Sequence, residues 1–139
     1  MYNILLVADD LEHARTAARM VGETARRTQA SDLCVVVAYP PVPDYLGSPY
    51  AERATATRVA RAEAVAQELL REVGTVPGTR STELLEGTAA EVARTVYQAR
   101  GGDLIVLGSG EPGPWRRLWA GNPGRELADH GLCPVMIVG

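Results

Sequence analysis

Asp103-Leu-Ile-Val-Leu-Gly108 is a continuous apolar run closed by a glycine, and its reading decides the fold. Such a run predicts a strand covered on both faces, as in a parallel sheet, whose carboxyl end meets a tight turn. A glycine-rich stretch follows, and then Gly121-Asn122-Pro123. Asn is a good N-cap and Pro is tolerated at the first helical position, so a helix is expected from Pro123 to about His130. Strand, glycine loop and helix N-terminus together can hold an anion, because free backbone N–H groups and the helix dipole face it. Cys133-Pro-Val-Met-Ile-Val138 then reads as a further buried strand.

Working outward to the N-terminal side, Ile4–Ala8 predicts strand one, ended by Asp9 and Asp10, either of which can cap the next helix. From Leu11 to Thr28 an apolar stripe runs through Ala14, Ala17, Ala18, Val21 and Ala25. Leu33–Ala38, rich in β-branched residues, predicts strand two. Tyr39 to Tyr50 holds four prolines and three tyrosines, a loop too long for a simple connector and readable as a binding lid or as disorder.

A long helix is expected from Ala51 to Val73, with its stripe at Val59, Ala62, Val65 or Ala66, Leu69 and Val73, ended by Gly74. Ser81–Leu85 is a weak third strand. Thr88-Ala-Ala-Glu91 is a capping box opening a helix with Val92 and Val96 on its buried side, and Gly101 and Gly102 stop it before strand four, Leu104–Leu107. Strands and helices alternate throughout, which implies a parallel sheet with helices on both faces. No internal repeat or boundary divides residues 1–139, so one domain is expected.

The 139 residues, 46% hydrophobic, suffice for one real core. A net charge of −3 without a basic block excludes an electrostatic footprint for nucleic acid or an anionic membrane. No apolar run approaches the ~20 residues that span a bilayer. The N-terminus enters a strand-like run rather than a signal peptide, so a cytoplasmic location is expected.

All fourteen basic residues are arginine, which excludes the P-loop lysine, the kinase strand lysine and Schiff-base chemistry. Cys34 and Cys133 lie in apolar runs and read as reduced core cysteines. His13 and His130 are isolated, in polar contexts, and read as surface residues.

In open parallel sheets ligands bind beyond the carboxyl ends of the strands, where strand order reverses. If strand one is central, the reversal falls between strands one and four. That brings Ala8, Asp9, Gly108, Ser109 and Gly110 around one crevice, with Ala38 and Tyr39 as its wall. Asp9 suits a ribose hydroxyl or an adenine edge, because a carboxylate accepts such hydrogen bonds. It equally suits a cap on the first helix.

With those residues in place, the chain resembles the universal stress protein family over nearly its whole length. The resemblance is carried by Val7-Ala8-Asp9, Leu33 to Pro41, Gly87-Thr-Ala-Ala-Glu91, Asp103-Leu-Ile-Val-Leu-Gly-Ser109, Arg116-Arg117-Leu118, Gly121 and Cys133-Pro-Val. It implies an α/β fold with an open five-stranded parallel sheet in order 3-2-1-4-5, and a role as a stress-response regulator. It also implies homodimerisation through the last strand, residues 133–138, where an apolar edge is a liability unless covered.

Family members that bind ATP carry Gly-x-x-Gly, nine residues, then Gly-Ser/Thr. Residue by residue, Gly108 matches the first glycine and Gly121 the third, at the expected helix start Gly121-Asn122-Pro123. Glu111 falls on the second glycine and Asn122 on the Ser/Thr. Glu111 would set a carboxylate beside the phosphates, and like charges there repel.

Gly110 and Gly113 can shift the loop and present their backbone N–H groups instead, in the register Gly110-x-x-Gly113, ten residues, Gly124-Arg125, which still lacks the Ser/Thr. Arg116 or Arg117 can supply positive charge or form a solvated helix face, and Glu111 can reach phosphate through Mg²⁺ if ATP is bound. Two readings stand: a family member whose phosphate loop is degraded, and one that retains ATP or AMP through the shifted loop as a nucleotide-dependent switch. An enzyme is not expected, since no nucleophile is paired with a base. Weak ATP hydrolysis would have to use Glu111 or Asp9 to position water.

Overall fold

The structure, a computed structural model, describes residues 2–43, 45, 47–108 and 135–138. Its elements are β1 (Asn3–Ala8), α1 (Ala14–Thr28), β2 (Asp32–Tyr39), α2 (Tyr50–Val73), β3 (Thr79–Glu86), α3 (Ala89–Arg100), β4 (Leu104–Gly108) and β5 (Val135–Val138). The main body of the sheet runs β3-β2-β1-β4, every pair parallel. The short β5 pairs parallel to β4 on its far side. The α/β class, the parallel sheet and the helices on both faces agree with the sequence reading. The helix expected at Pro123–His130 lies outside the described residues, as do Cys133 and Pro134 of the last predicted strand.

Alternation along each strand sorts the core into two layers. Ile4, Leu6, Ala8, Leu33, Val35, Val37, Leu104 and Val106 pack against α1 and α2. Leu5, Val7, Cys34, Val36, Ala38, Ile105 and Leu107 pack against α3. Ile4, Leu6, Leu33, Leu69, Ile105 and Leu107 are among the largest fully buried side chains. Each such burial contributes about 1.5–3 kcal/mol.

The buried stripe of α1 is the expected one, with Gly22 added. Gly22 lies against the Val73 carbonyl at the end of α2, where a Cβ has no room. The buried set of α2 is Ala62, Ala66, Leu69 and Val73, while Val59 and Val65 are only half-buried. Length explains this: a helix of 24 residues is about 36 Å long and a strand of 8 about 26 Å, so the first turns of α2 overrun the sheet. Two arginines serve its far end. Arg26 donates to the carbonyls of Val73 and Thr75 at 3.0 and 3.1 Å, and Arg80 donates to that of Gly74 at 2.9 Å.

Two elements, α1 and β3, differ most from the sequence reading. α1 begins at Ala14 rather than Leu11, because residues 11–13 form a turn held by Asp10. The N-cap is therefore His13, and neither aspartate holds that position. β3 is longer than expected, Thr79–Glu86, and no residue in it is fully buried. Its position at the sheet edge leaves few apolar residues to announce it.

Candidate functional site

The central strand β1 pairs with β2 on one side and β4 on the other, so Ala8 stands opposite both Val37 and Gly108. The chain leaves β1 toward β2, and after β3 crosses back to β4. Strand order thus reverses at β1/β4, where the carboxyl tips of adjacent strands define a crevice in an open α/β sheet.

Four of the expected site residues are described there. Ala8 and Ala38 are buried at the ends of β1 and β2, Gly108 closes β4, and Asp9 is exposed immediately after Ala8. Ala8 belongs to the layer under α1, and Ala38 to the layer under α3. Ser109, Gly110, Gly121, Asn122 and Pro123, like Glu111, Gly113, Arg116 and Arg117, lie outside the described residues.

Gly108 is a glycine for a packing reason. A Cβ there would come 2.9 Å from Ala14 Cα, 3.1 Å from Ala14 Cβ and 3.2 Å from Ala17 Cβ. The start of α1 therefore rests directly on the end of β4, and only a residue without a side chain allows that approach.

The turn between β1 and α1 carries the rim's charge. Asp10 Oδ1 accepts the His13 backbone N–H at 2.8 Å, and its Oδ2 lies 2.8 Å from His13 Nδ1. The bond to Asp10, and then the charge of Asp10, push the His13 pKa above its ordinary 6.5; Glu12 and Asp9 add smaller pushes in the same direction, against a small opposing effect of burial. Asp9, Asp10 and Glu12 thus place three acids on the turn that carries this imidazole.

On the β2 side, Gly87 donates its N–H to the Tyr39 carbonyl at 2.9 Å, which ties the end of β2 to the end of β3. The chain then continues through Pro40 and Pro41, whose carbonyls both accept from Arg58 Nη1 at 2.8 Å. Tyr45 and Tyr50 are strongly exposed, at 86% and 67%.

Two features escaped the sequence reading. The Asp10–His13 pair was legible in principle as an i, i+3 acid and base just before a helix. The Arg58 tie had no local signal, since it bridges residues 17 and 18 apart. Away from the crevice, Cys34 is buried as expected, but Arg100 donates to its Sγ at 3.1 Å and to Asp32 Oδ2 at 3.0 Å. Burial pushes the Cys34 thiol pKa up, while the charge of Arg100 opposes the shift. Among the described residues no group of three or more His, Cys, Asp or Glu side chains is arranged to hold a metal ion. No helix among them is long and apolar enough to cross a membrane.

The chain matches the model of the Universal stress protein family over residues 1–139. It is 37% identical over 135 residues to a Thermus aquaticus protein described as a universal stress protein in the QAH/OAS sulfhydrylase 3′ region, covering 97% of this chain and 96% of that one. Universal stress protein UspA from Lactobacillus plantarum has the same fold, with a TM-score of 0.68 at 23% identity over 99% of this chain and 98% of that one. So does a universal stress protein solved in complex with cAMP, with a TM-score of 0.61 at 17% identity over 99% of this chain and 97% of that one.

Proposed function

The chain belongs to the universal stress protein family, and from that premise we propose that it is a cytoplasmic, homodimeric stress-response regulator with an adenine-nucleotide crevice whose phosphate side is degraded. The single observation that supports this most is the registered pair Ala8 and Gly108 at the strand-order reversal, beside an acidic turn. Asp9 is an exposed acceptor at that tip, suited to a ribose hydroxyl or an adenine edge. A relative of the same fold was solved with cAMP, an adenine nucleotide with one phosphate.

The residues fit the base and ribose half of such a ligand better than a triphosphate. Asp9, Asp10 and Glu12 all lie in the short segment between the tip of β1 and the start of α1. In the sequence, Glu111 replaces a phosphate-loop glycine and Asn122 a hydroxyl. Each added phosphate brings negative charge toward that set, so affinity falls from monophosphate to triphosphate. Mg²⁺ would enter only with ATP. The protein acts by occupancy of the crevice and not as an enzyme. The dimer forms through residues 133–138, where β5 is the last strand in the sheet order and its outer edge can pair with a second copy.

The test is calorimetric titration of nucleotide-stripped protein with AMP, cAMP and ATP–Mg²⁺. The degraded-loop reading expects a monophosphate to bind more tightly than ATP–Mg²⁺, and Glu111→Gly to narrow the gap. Tighter binding of ATP–Mg²⁺ would establish the alternative, a nucleotide switch using the shifted glycine loop. No heat with any of the three would leave a dimeric scaffold without ligand.

A further inference from the structure

The chain leaving β2 meets the sheet's carboxyl end through two consecutive prolines, Pro40 and Pro41. A proline has no backbone N–H, so its one backbone polar group is its carbonyl. Both carbonyls accept from the same atom, Arg58 Nη1, at 2.8 Å. The far end of this loop is held separately, by the start of α2: Ala51 donates to the Gly47 carbonyl at 2.9 Å and Ser48 Oγ to Glu52 at 3.3 Å. Arg58 sits on the part of α2 that overruns the sheet, where no residue is fully buried. The core does not require an arginine there, but the loop gains a charged donor.

We infer that Arg58 is a positioning residue for the crevice: it fixes Pro40 and Pro41 as a wall beside the tip of β2 before any ligand arrives. The inference rests on the crevice reading above for its ligand and on the Arg58 tie for its mechanism. A wall that is ordered in the free protein spares the ligand the cost of ordering it, so apparent affinity scales with the fraction of molecules in which the wall is set. Hydrogen bonds from a guanidinium are charge-assisted and stronger than neutral ones. Since a single nitrogen makes both bonds, the planar fork of arginine is not needed, and an ammonium with three donors can replace it.

The experiment compares wild type, Arg58→Met and Arg58→Lys by chymotrypsin cleavage after Tyr45 and by calorimetric titration with AMP. Tyr45 is the more exposed of the two exposed tyrosines, Tyr50 being the first residue of α2, and the bond after Tyr39 is protected by the following proline. Arg58→Met is expected to be cleaved about tenfold faster and to bind AMP about tenfold more weakly, with Arg58→Lys restoring both to within about twofold of wild type at an unchanged Tm. Wild-type cleavage or affinity in Arg58→Met overturns the inference, and so does a loss that Arg58→Lys fails to restore. If wild type takes up no AMP while Arg58→Met is still cleaved faster, the crevice reading and the ligand half of this inference fall together. The tie of Arg58 to the loop then stands confirmed by cleavage alone.

Discussion

Ala8 and Gly108 face each other across the carboxyl ends of β1 and β4. The helix that follows β1 lies on that pair so closely that a Cβ on Gly108 would come 2.9 Å from Ala14 Cα. The glycine that closes the decisive apolar run is therefore held by packing.

Gly108→Ala is expected to destabilise the protein by roughly 1–3 kcal/mol, since backbone and two alanines must give way. Gly22→Ala should cost more, because the obstacle is the Val73 backbone carbonyl, which cannot swing aside. Urea denaturation of both variants checks the order. A Gly108→Ala protein as stable as wild type would contradict the packing account.

The opening of α3 gives a smaller effect. Thr88 Oγ1 accepts the Glu91 N–H at 3.2 Å, as the capping box predicts. Thr88→Ala should cost about 1 kcal/mol and Thr88→Ser much less. Equal losses in the two would mean that the hydroxyl is not the cap.

Glu72 joins α2 to α1 by accepting from Arg15 at 2.9 Å and Arg19 at 2.8 Å. The bond from Arg19 leads in holding its carboxyl below the ordinary 4.5, against an opposing effect of burial. A lowered pKa in the folded state contributes stability that is present above 4.5 and lost as pH falls through the lowered value. Glu72→Gln should therefore flatten the acid side of the stability profile, measured by urea melts from about pH 7 to about pH 3.

His13 behaves with the opposite sign. Its pKa is raised, so its contribution is full below 6.5 and disappears as pH rises through the raised value. An NMR titration of the ring should place the midpoint above 6.5, and Asp10→Asn should bring it down, because the bond to Asp10 is the leading cause.

Much of this arrangement was legible in the sequence because burial on both faces leaves continuous apolar runs. Ile4–Ala8, Leu33–Ala38 and Leu104–Leu107 announced three strands within two residues of their ends. β3 was the weakest of them to read, since an edge strand with no fully buried residue carries little pattern. The start of α1 was misplaced because Asp10 holds a turn, and propensity does not separate such a turn from a first helical turn. Val59 joined the expected stripe of α2 by period, but period cannot tell how far the sheet beneath extends. The placement of Ala8, Asp9, Ala38 and Gly108 at the strand tips followed from topology, whereas the Arg58 tie could not, because its partners are distant carbonyls with no side-chain identity to match.

The most direct test of the crevice is an amide ¹H–¹⁵N titration of the stripped protein with AMP. If the tips of β1, β2 and β4 frame one adenine-nucleotide site, shifts should concentrate at Ala8–Asp10, Ala38–Tyr39 and Gly108. Shifts concentrated instead at the amino ends of the strands, around Asn3, Asp32 and Asp103, would contradict it, as would a spectrum that AMP leaves unchanged.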